Sequence, residues 1–248
     1  MKLTLPLSQL ITPENINQVP GIEVYLENNH TLFEPCYYNK ELIRHDSRPI
    51  LDMYNVGMLA TNKDYLSCHL GMSSRGRVIK GYHYVSNEVW PEEKIKEEIK
   101  KKVYQFKNFG IKNLSLENCN YYPFSAYQHV CESGFIKEVI EENDVGFCFD
   151  VAHAQISVMN MHDTNIRHYI NKNALPLDRI TEIHLSGYGF VNKQARDLHE
   201  TPTDEQLSIL DWLNKEYDLK DVYVVVEYYK CFETLCEIYD MLNKRYGR

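Results

Sequence analysis

Four short apolar stretches of this 248-residue chain each end in side chains suited to metal binding. They are Ser115-Leu116-Glu117-Asn118, Phe149-Asp150-Val151-Ala152-His153, Glu182-Ile183-His184-Leu185-Ser186-Gly187 and Val224-Val225-Val226-Glu227. Glu117, Asp150, His184 and Glu227 are spaced by 33, 34 and 43 residues, and the last interval holds a further pair, Asp197-Leu198-His199. One strand, one helix and two loops take up roughly this length in a βα unit, so a ring of parallel strands would bring these acids and imidazoles to one rim. Four carboxylates (Glu117, Asp150, Asp197, Glu227) around one cavity would repel one another or take up protons, at a cost of several kcal/mol, unless cations neutralise them. His69, His153, His184 and His199 bring the candidate ligands to eight. That is more than one ion of about four- to six-fold coordination can use, and it points to two or three ions sharing bridging carboxylates. Mixed oxygen and imidazole donors suit iron, manganese or zinc alike.

The residues differ in how strongly they point to metal. His184 and Glu227, at the ends of apolar strands, have little structural reason to be there. Asp197 and His199, two apart, share one face of an extended segment. His153 follows Asp150 by three and is either a further ligand or an outer hydrogen-bonding group. His45, His83, His129, His162 and His168 read as ordinary surface residues, and Glu23 and Glu27 as solvated glutamates.

The elements that must position these groups follow a βα rhythm. Strands are expected at Leu3–Pro6, Gly21–Glu27, Tyr65–Gly71, Asn113–Cys119, Val145–Ala152, Thr181–Gly187 and Val222–Tyr229, with the region of Asp197–His199 supplying an eighth. Pro91, Glu92 and Glu93 open a helix whose stripe is Ile95, Ile99, Val103 and Phe106 and whose stop is Gly110. Thr203 and Gln206 have capping-box spacing, and a last helix is expected from about Phe232 to Arg245. Within the strands one parity is bulky and apolar. The other carries Ser67 and His69, Ser115 and Glu117, Cys148 and Asp150, His184 and Ser186, Val225 and Glu227, which places the polar set on a barrel axis. No glycine-rich phosphate loop follows the first strand, as an open doubly wound sheet would favour. The expected fold is α/β, a (β/α)8 TIM barrel in a single domain, 1–248.

Bulk properties narrow the class. Hydrophobic residues make up 44% and charged residues 25%, an ordinary globular balance. No apolar run approaches the ~20 residues of a membrane span, and the N-terminus lacks a signal-like apolar core, so a cytoplasmic location is expected. The odd count of seven cysteines, none in metal-type spacing, suits reduced core residues. A net charge of −8 gives no general attraction to nucleic acid. Among the 19 tyrosines, Tyr121, Tyr122, Tyr228 and Tyr229 follow candidate ligands closely enough to line a pocket. Arg75, Arg77, Lys80, Lys193 and Arg196 are rim cations able to meet phosphates or an acidic peptide.

These motifs together resemble the DUF692 family, the multinuclear non-haem iron-dependent oxidases, within the xylose-isomerase-like and endonuclease IV-like TIM barrels. Leu116-Glu117-Asn118-Cys119-Asn120-Tyr121-Tyr122 matches the family's Leu-Glu-Asn strand end. Phe149-Asp150-Val151-Ala152-His153, with Asn160 downstream, is similar to its Asp-Val-Asn-Asn segment, although an Ala-His pair replaces the Asn-Asn. His184-Leu185-Ser186-Gly187 resembles its His-Leu-Ala-Gly signature, while Asp197-Leu198-His199, Val226-Glu227 and His69 match its remaining ligands. The likeness runs from about Tyr65 to Tyr229.

The resemblance implies a mixed-valent centre of two or three Fe ions (Fe2+/Fe3+), with His69, Glu117, Asp150, His184, Asp197, His199 and Glu227 as ligands. His153 would be a further ligand and Asn118 a ligand or orienting residue. It also implies O2-dependent modification of a Cys, Asp or Asn of a ribosomally made precursor peptide, and a separate small partner that grips the leader peptide. Asp150-x-x-His153 is, however, also similar to the trinuclear zinc site of endonuclease IV. A Zn2+ or Mn2+ phosphodiesterase and a sugar isomerase or epimerase are therefore the alternatives.

Overall fold

A computed structural model of the chain describes all residues except 12–14, 16, 17, 20, 23, 29–40, 54–64, 76, 81, 82, 162–165, 172 and 248, and the side chains of 28, 77, 79, 80 and 83. The strands in chain order are β1 (Lys2–Pro6), β2 (Val24–Asn28), β3 (Glu41–Pro49), β4 (Tyr65–His69), β5 (Arg77–Lys80), β6 (His83–Ser86), β7 (Asn113–Glu117), β8 (Gly146–Asp150), β9 (Ile180–Leu185), β10 (Gly187–Val191), β11 (Gln194–Glu200) and β12 (Tyr223–Val226). Eight of them close a barrel in the order β1-β12-β9-β8-β7-β4-β3-β2, with parallel pairing throughout. The remaining four form two antiparallel hairpins, β5-β6 and β10-β11.

The eighth barrel strand is β3, not the Asp197–His199 region. β3 carries Arg44, His45, Asp46 and Arg48, which break the apolar run a buried parallel strand usually shows. Its buried charge is satisfied locally: the Asp46 carboxylate accepts from Arg48 Nε at 2.8 Å and Nη2 at 2.6 Å. Asp197 and His199 lie on β11, folded back on β10 through Asn192 and Lys193 (φ 51° and 64°). A two-residue turn with both φ positive has the twist of a type I′ hairpin.

The helices form where their caps and stripes predict. α1 (Glu92–Asn108) follows Pro91, buries Ile95, Ile99, Val103 and Phe106, and stops before Gly110, whose φ of +92° is left-handed. α2 (Ser133–Asn143), α3 (Val151–Asn160) and α4 (Ile166–Tyr169) follow. α5 (Asp204–Glu216) has both halves of the Thr203–Gln206 capping box, and α6 (Phe232–Tyr246) is the last element. Val24, Leu26, Ile43 and Val225 make a small separate apolar cluster, whereas the main core includes Leu114, Leu116, Phe147, Phe149, Ile183, Leu185, Val224 and Val226 of the opposite parity. The strands thus point bulky groups at the helices and leave the axis to Val225 and the polar set. Cys68, Cys119, Cys131 and Cys148 are buried, and among the described residues there is no disulfide. No described helix is long and apolar enough to cross a membrane.

Candidate metal centre

Strand register alone brings most of the candidate ligands together. Parallel pairing sets His69 beside Glu117 on β4 and β7, and Asp150 beside His184 on β8 and β9. Glu117 occupies the middle. Its Oε2 lies 3.0 Å from His69 Nε2 and 3.4 Å from His45 Nε2. Its Oε1 lies 3.2 Å from His184 Nδ1 and 3.4 Å from His153 Nδ1. His184 Nδ1 is also 3.5 Å from Glu227 Oε2, and Asp150, His184 and Glu227 form one compact donor group. Beyond them, Asp197 Oδ2 is 3.4 Å from His153 Nε2 and 3.5 Å from His199 Nε2.

These separations are those of donors arranged around ions. With bonds of about 2.1 Å, tetrahedral or octahedral donors stand about 3.0–3.4 Å apart. Three buried atoms of the cluster, Glu117 Oε2, Asp150 Oδ2 and His199 Nδ1, have no hydrogen-bond partner among the described residues. Buried polar atoms are rarely left so, and a cation is the species that would satisfy such carboxylate oxygens. The residues therefore fit a multinuclear centre. The contacts can be sorted into three overlapping groups: His45 and His69 at Glu117 Oε2, Asp150, His184 and Glu227 together, and His153 and His199 at Asp197 Oδ2. His45, Glu117 and His184, and Glu117, Asp150 and His153, are also close enough to share an ion, so the groups are not separate.

The protonation of these groups reflects their crowding. Burial, reinforced by Glu117, Asp197 and Glu227, pushes the Asp150 carboxyl up to about 8 despite His153. Burial would also raise Glu117, but His69, His184 and His45 together hold it well below the usual carboxylate range. Asp197 is likewise pulled down against burial, to about 2, by His153 and His199. Burial opposes charge on His153 and His184, yet the surrounding acids keep both well above an ordinary imidazole. For His45 burial wins over Glu117 and lowers the value.

Several side chains orient the donors. Asn118 spends its amide on the Asp150 backbone, donating Nδ2 to the carbonyl at 2.9 Å and accepting from the N–H at 2.8 Å. It thus pins the ends of β7 and β8 together. Asp150 caps α3 by accepting from the His153 N–H at 2.6 Å, and His153 Nδ1 lies 2.9 Å from the Asn118 carbonyl. With Nδ1–H donated there, Nε2 is left facing Asp197. His199 adopts φ 46° and donates its N–H to Asp197 Oδ1 at 3.3 Å, so this pair is set by a local kink, not by plain extension. Tyr229 donates to Glu227 Oε1 at 3.3 Å and packs edge-on to His199. Asn160 ties the Tyr121 and Ala195 carbonyls and does not enter the donor groups.

His45 is the clear correction: expected at the surface, it is 4% exposed, with Nδ1 against Ser67 Oγ at 2.9 Å and Nε2 toward Glu117. Glu182, fully buried beneath His184, is a second group that sequence reasoning misses. A signal for Glu182 exists, since positions 182, 184 and 186 share one strand face. His45 has none beyond a weak alternation with Ile43. Glu27 is half-buried near Arg44 at 3.9 Å, His168 is exposed on α4, and His129 faces Glu132. Glu23, His162 and the His83 side chain lie outside the described residues.

Beside Asp197 opens a cavity of about 490 Å³ lined by Tyr84, Asn120, Tyr122, Tyr127, Arg196 and Leu198. Arg196 lies over the Tyr122 ring at 5.6 Å, and Tyr122 stacks edge-on with Tyr127. Of the other rim cations, Arg75 is engaged by Glu98 and Lys193 lines a neighbouring groove with Phe190.

A sequence model of the family described as "RiPP precursor modification enzyme MbnB/TglH/ChrH" matches residues 59–240. No curated protein matches. Among solved structures, endonuclease IV from Thermus thermophilus is similar at 14% identity and TM-score 0.58, covering 100% of this chain and 98% of that one. A putative xylose isomerase from Rhodospirillum rubrum is similar at 12% identity and TM-score 0.61, covering 98% and 97%. D-Psicose 3-epimerase from Clostridium cellulolyticum is similar at 13% identity and TM-score 0.54, covering 92% and 85%. At such identities these likenesses establish the shared barrel and nothing more.

Proposed function

The chain belongs to the MbnB/TglH/ChrH family of RiPP precursor modification enzymes, and on that premise we propose that it is a multinuclear iron oxidase that uses dioxygen to modify a residue of a ribosomally made precursor peptide. The observation that carries this reading is that the family match spans every ligand expected from the sequence, from His69 to Glu227. The crowded, unpartnered donors of the centre support it.

In this reading Glu117, with His69 and His45 near one oxygen and His184 and His153 near the other, would be shared within the centre. His69, Glu117, Asp150, His153, His184, Asp197, His199 and Glu227 would hold the ions, with His45 as a further donor beside Glu117. Iron at these positions would activate dioxygen and lower the pKa of a coordinated substrate thiol or carboxyl group. Asn118 acts through Asp150 as an orienting residue. The tyrosine-lined cavity beside Asp197 admits the substrate residue and screens it from water, while Arg196 meets an acidic or carbonyl-rich stretch of peptide. Cysteine is the preferred target, with Asp or Asn as the other acceptors. A small partner protein that holds the leader peptide completes the system.

Elemental analysis of protein purified without oxygen or added metal tests the centre, with two or three irons per chain expected. Mass spectrometry of a precursor peptide encoded beside the chain's gene, before and after incubation with the iron-loaded protein and oxygen, tests the reaction. An unchanged peptide in the presence of full iron would refute the oxidase.

One observation favours a second reading. His153 places an imidazole against Asp197 Oδ2, which His199 also faces, and such a mix of imidazole and carboxylate donors suits zinc and hydrolytic chemistry as well. Zinc without iron, together with cleavage of an abasic DNA duplex, would favour that phosphodiesterase.

A further inference from the structure

Directly beneath the donor cluster lies a carboxylate that none of the three groups needs. Glu182 is fully buried on β9, two residues before His184 on the same strand face. Its Oε1 is 2.8 Å from His184 Nε2, and its Oε2 accepts from the Tyr65 hydroxyl at 2.9 Å. That hydroxyl also meets Ser115 Oγ and Thr181 Oγ1, each at 3.2 Å, and those two lie 2.6 Å apart. The Tyr65 ring is held edge-on by Tyr223 at 5.2 Å, in the apolar floor that contains Val225. Glu182 is therefore fixed at both oxygens and has no freedom to turn toward the rim. On the other side of the imidazole, Nδ1 faces Glu117 Oε1 at 3.2 Å and Glu227 Oε2 at 3.5 Å.

We propose that Glu182 is the positioning residue of the centre: by accepting the Nε2–H of His184 it fixes the tautomer and ring plane that present Nδ1 to the central ion. Tyr65 locks the carboxylate in that role. A neutral imidazole has one N–H and one lone pair, so a fixed acceptor at Nε2 decides which nitrogen binds metal. The negative charge behind the ring also strengthens the donor. The inference rests on the reading of His184 as a metal ligand, but not on which metal is bound or which reaction follows.

A rival use of the same atoms exists. Cys148, Glu182 and His184 are close enough together to hold an ion of their own. Such an ion would take His184 Nε2 from Glu182, so the two arrangements exclude each other.

Zinc serves as a diamagnetic probe that separates them. In the zinc-loaded protein, long-range ¹H–¹⁵N spectra of the His184 ring should show a protonated Nε2 and a metallated Nδ1. Glu182→Met, which keeps length and removes the acceptor, should lose the downfield Nε2–H signal. It should also weaken zinc at the central position by roughly 10- to 100-fold in a chelator competition. Glu182→Gln still offers an amide oxygen and should restore the tautomer and most of the affinity. Tyr65→Phe keeps the carboxylate and should shift the Nε2–H signal with a smaller loss, which gives a reading even where Glu182→Met fails to fold. Cys148→Ala should leave the number of bound ions unchanged. A metallated Nε2, zinc affinity within about twofold of the parent in folded Glu182→Met (against the ~10-fold or more that an outer-shell partner is worth), or an ion lost on Cys148→Ala would each overturn the proposal. Retained zinc behaviour with no iron uptake or peptide oxidation would count against the oxidase reading alone.

Discussion

At the scale of single residues, Glu117 is the carboxylate on which the proposed multinuclear centre most depends. It is 1% exposed, its Oε2 faces His69 and His45, and its Oε1 faces His184 and His153. In the proposed centre a carboxylate shared in this way would serve more than one cation, and a neutral amide would neutralise none. Glu117→Gln is expected to lose at least one ion per chain by elemental analysis. Its loss of activity should exceed the roughly 10- to 100-fold that removal of an outer orienting group costs. Asn118→Ala is the contrast. It removes two buried hydrogen bonds to the Asp150 backbone. The expected outcome is a folded protein destabilised by about 1–3 kcal/mol in urea unfolding, with its ion count kept. The difference between ligand and orienting group is legible only partly in the sequence. Glu117 and Asn118 are adjacent and equally suited to chemistry by type. What separates them is that the Asn118 amide is already spent on backbone, and this depends on the pairing of β7 with β8. His45 is hidden for a related reason: its strand is rich in charge, and only closure of the barrel makes its position internal.

At the scale of elements, the β10–β11 hairpin delivers Asp197 and His199 to the centre from outside the barrel. Its entry is constrained at Gly187, where a Cβ would run into the Thr201 carbonyl oxygen and the Glu200 backbone. The glycine after His-Leu-Ser is thus set by backbone approach, not by turn geometry. Gly187→Ala must push β10 away from the end of β11. It is expected to cost about 1–3 kcal/mol of stability and to weaken binding at the Asp197 position more than at the Glu227 position. Metal titration followed ion by ion measures this. Seven of the eight barrel strands and the α1, α5 and α6 helices are legible from period-two patterning, caps and stripes. β3 is not, because a local ion pair, Asp46–Arg48, and the charged residues around it replace the apolar run that marks a buried strand. β11 resembles a barrel strand in sequence because its two-residue Asn192-Lys193 turn lacks the glycine that usually signals a type I′ hairpin.

At the scale of the whole molecule, the centre makes stability depend on metal and pH together. Without metal, Asp150 holds its proton up to about 8, and His153 and His184 hold theirs well above the ordinary imidazole value. An unfolded chain has released all three protons by about pH 7 to 8. The folded metal-free protein therefore binds more protons than the unfolded one, and its stability falls as pH rises through this window. Glu117 and Asp197 titrate far lower and His45 is lowered, so in this window they do not reverse the slope. Metal binding demands the opposite protonation state, since a carboxylate or imidazole must give up its proton to coordinate. Affinity should accordingly rise with pH over the same range, with proton release on binding. The melting temperatures of metal-free and metal-loaded protein, measured between about pH 6.5 and 8.5, should therefore diverge as pH increases. Each kcal/mol of linkage would widen the gap by about 2–4 °C for a chain of this size. A gap independent of pH would mean that the donors are already deprotonated without metal, and that the crowding of acids and imidazoles around Glu117 is relieved by something other than protons.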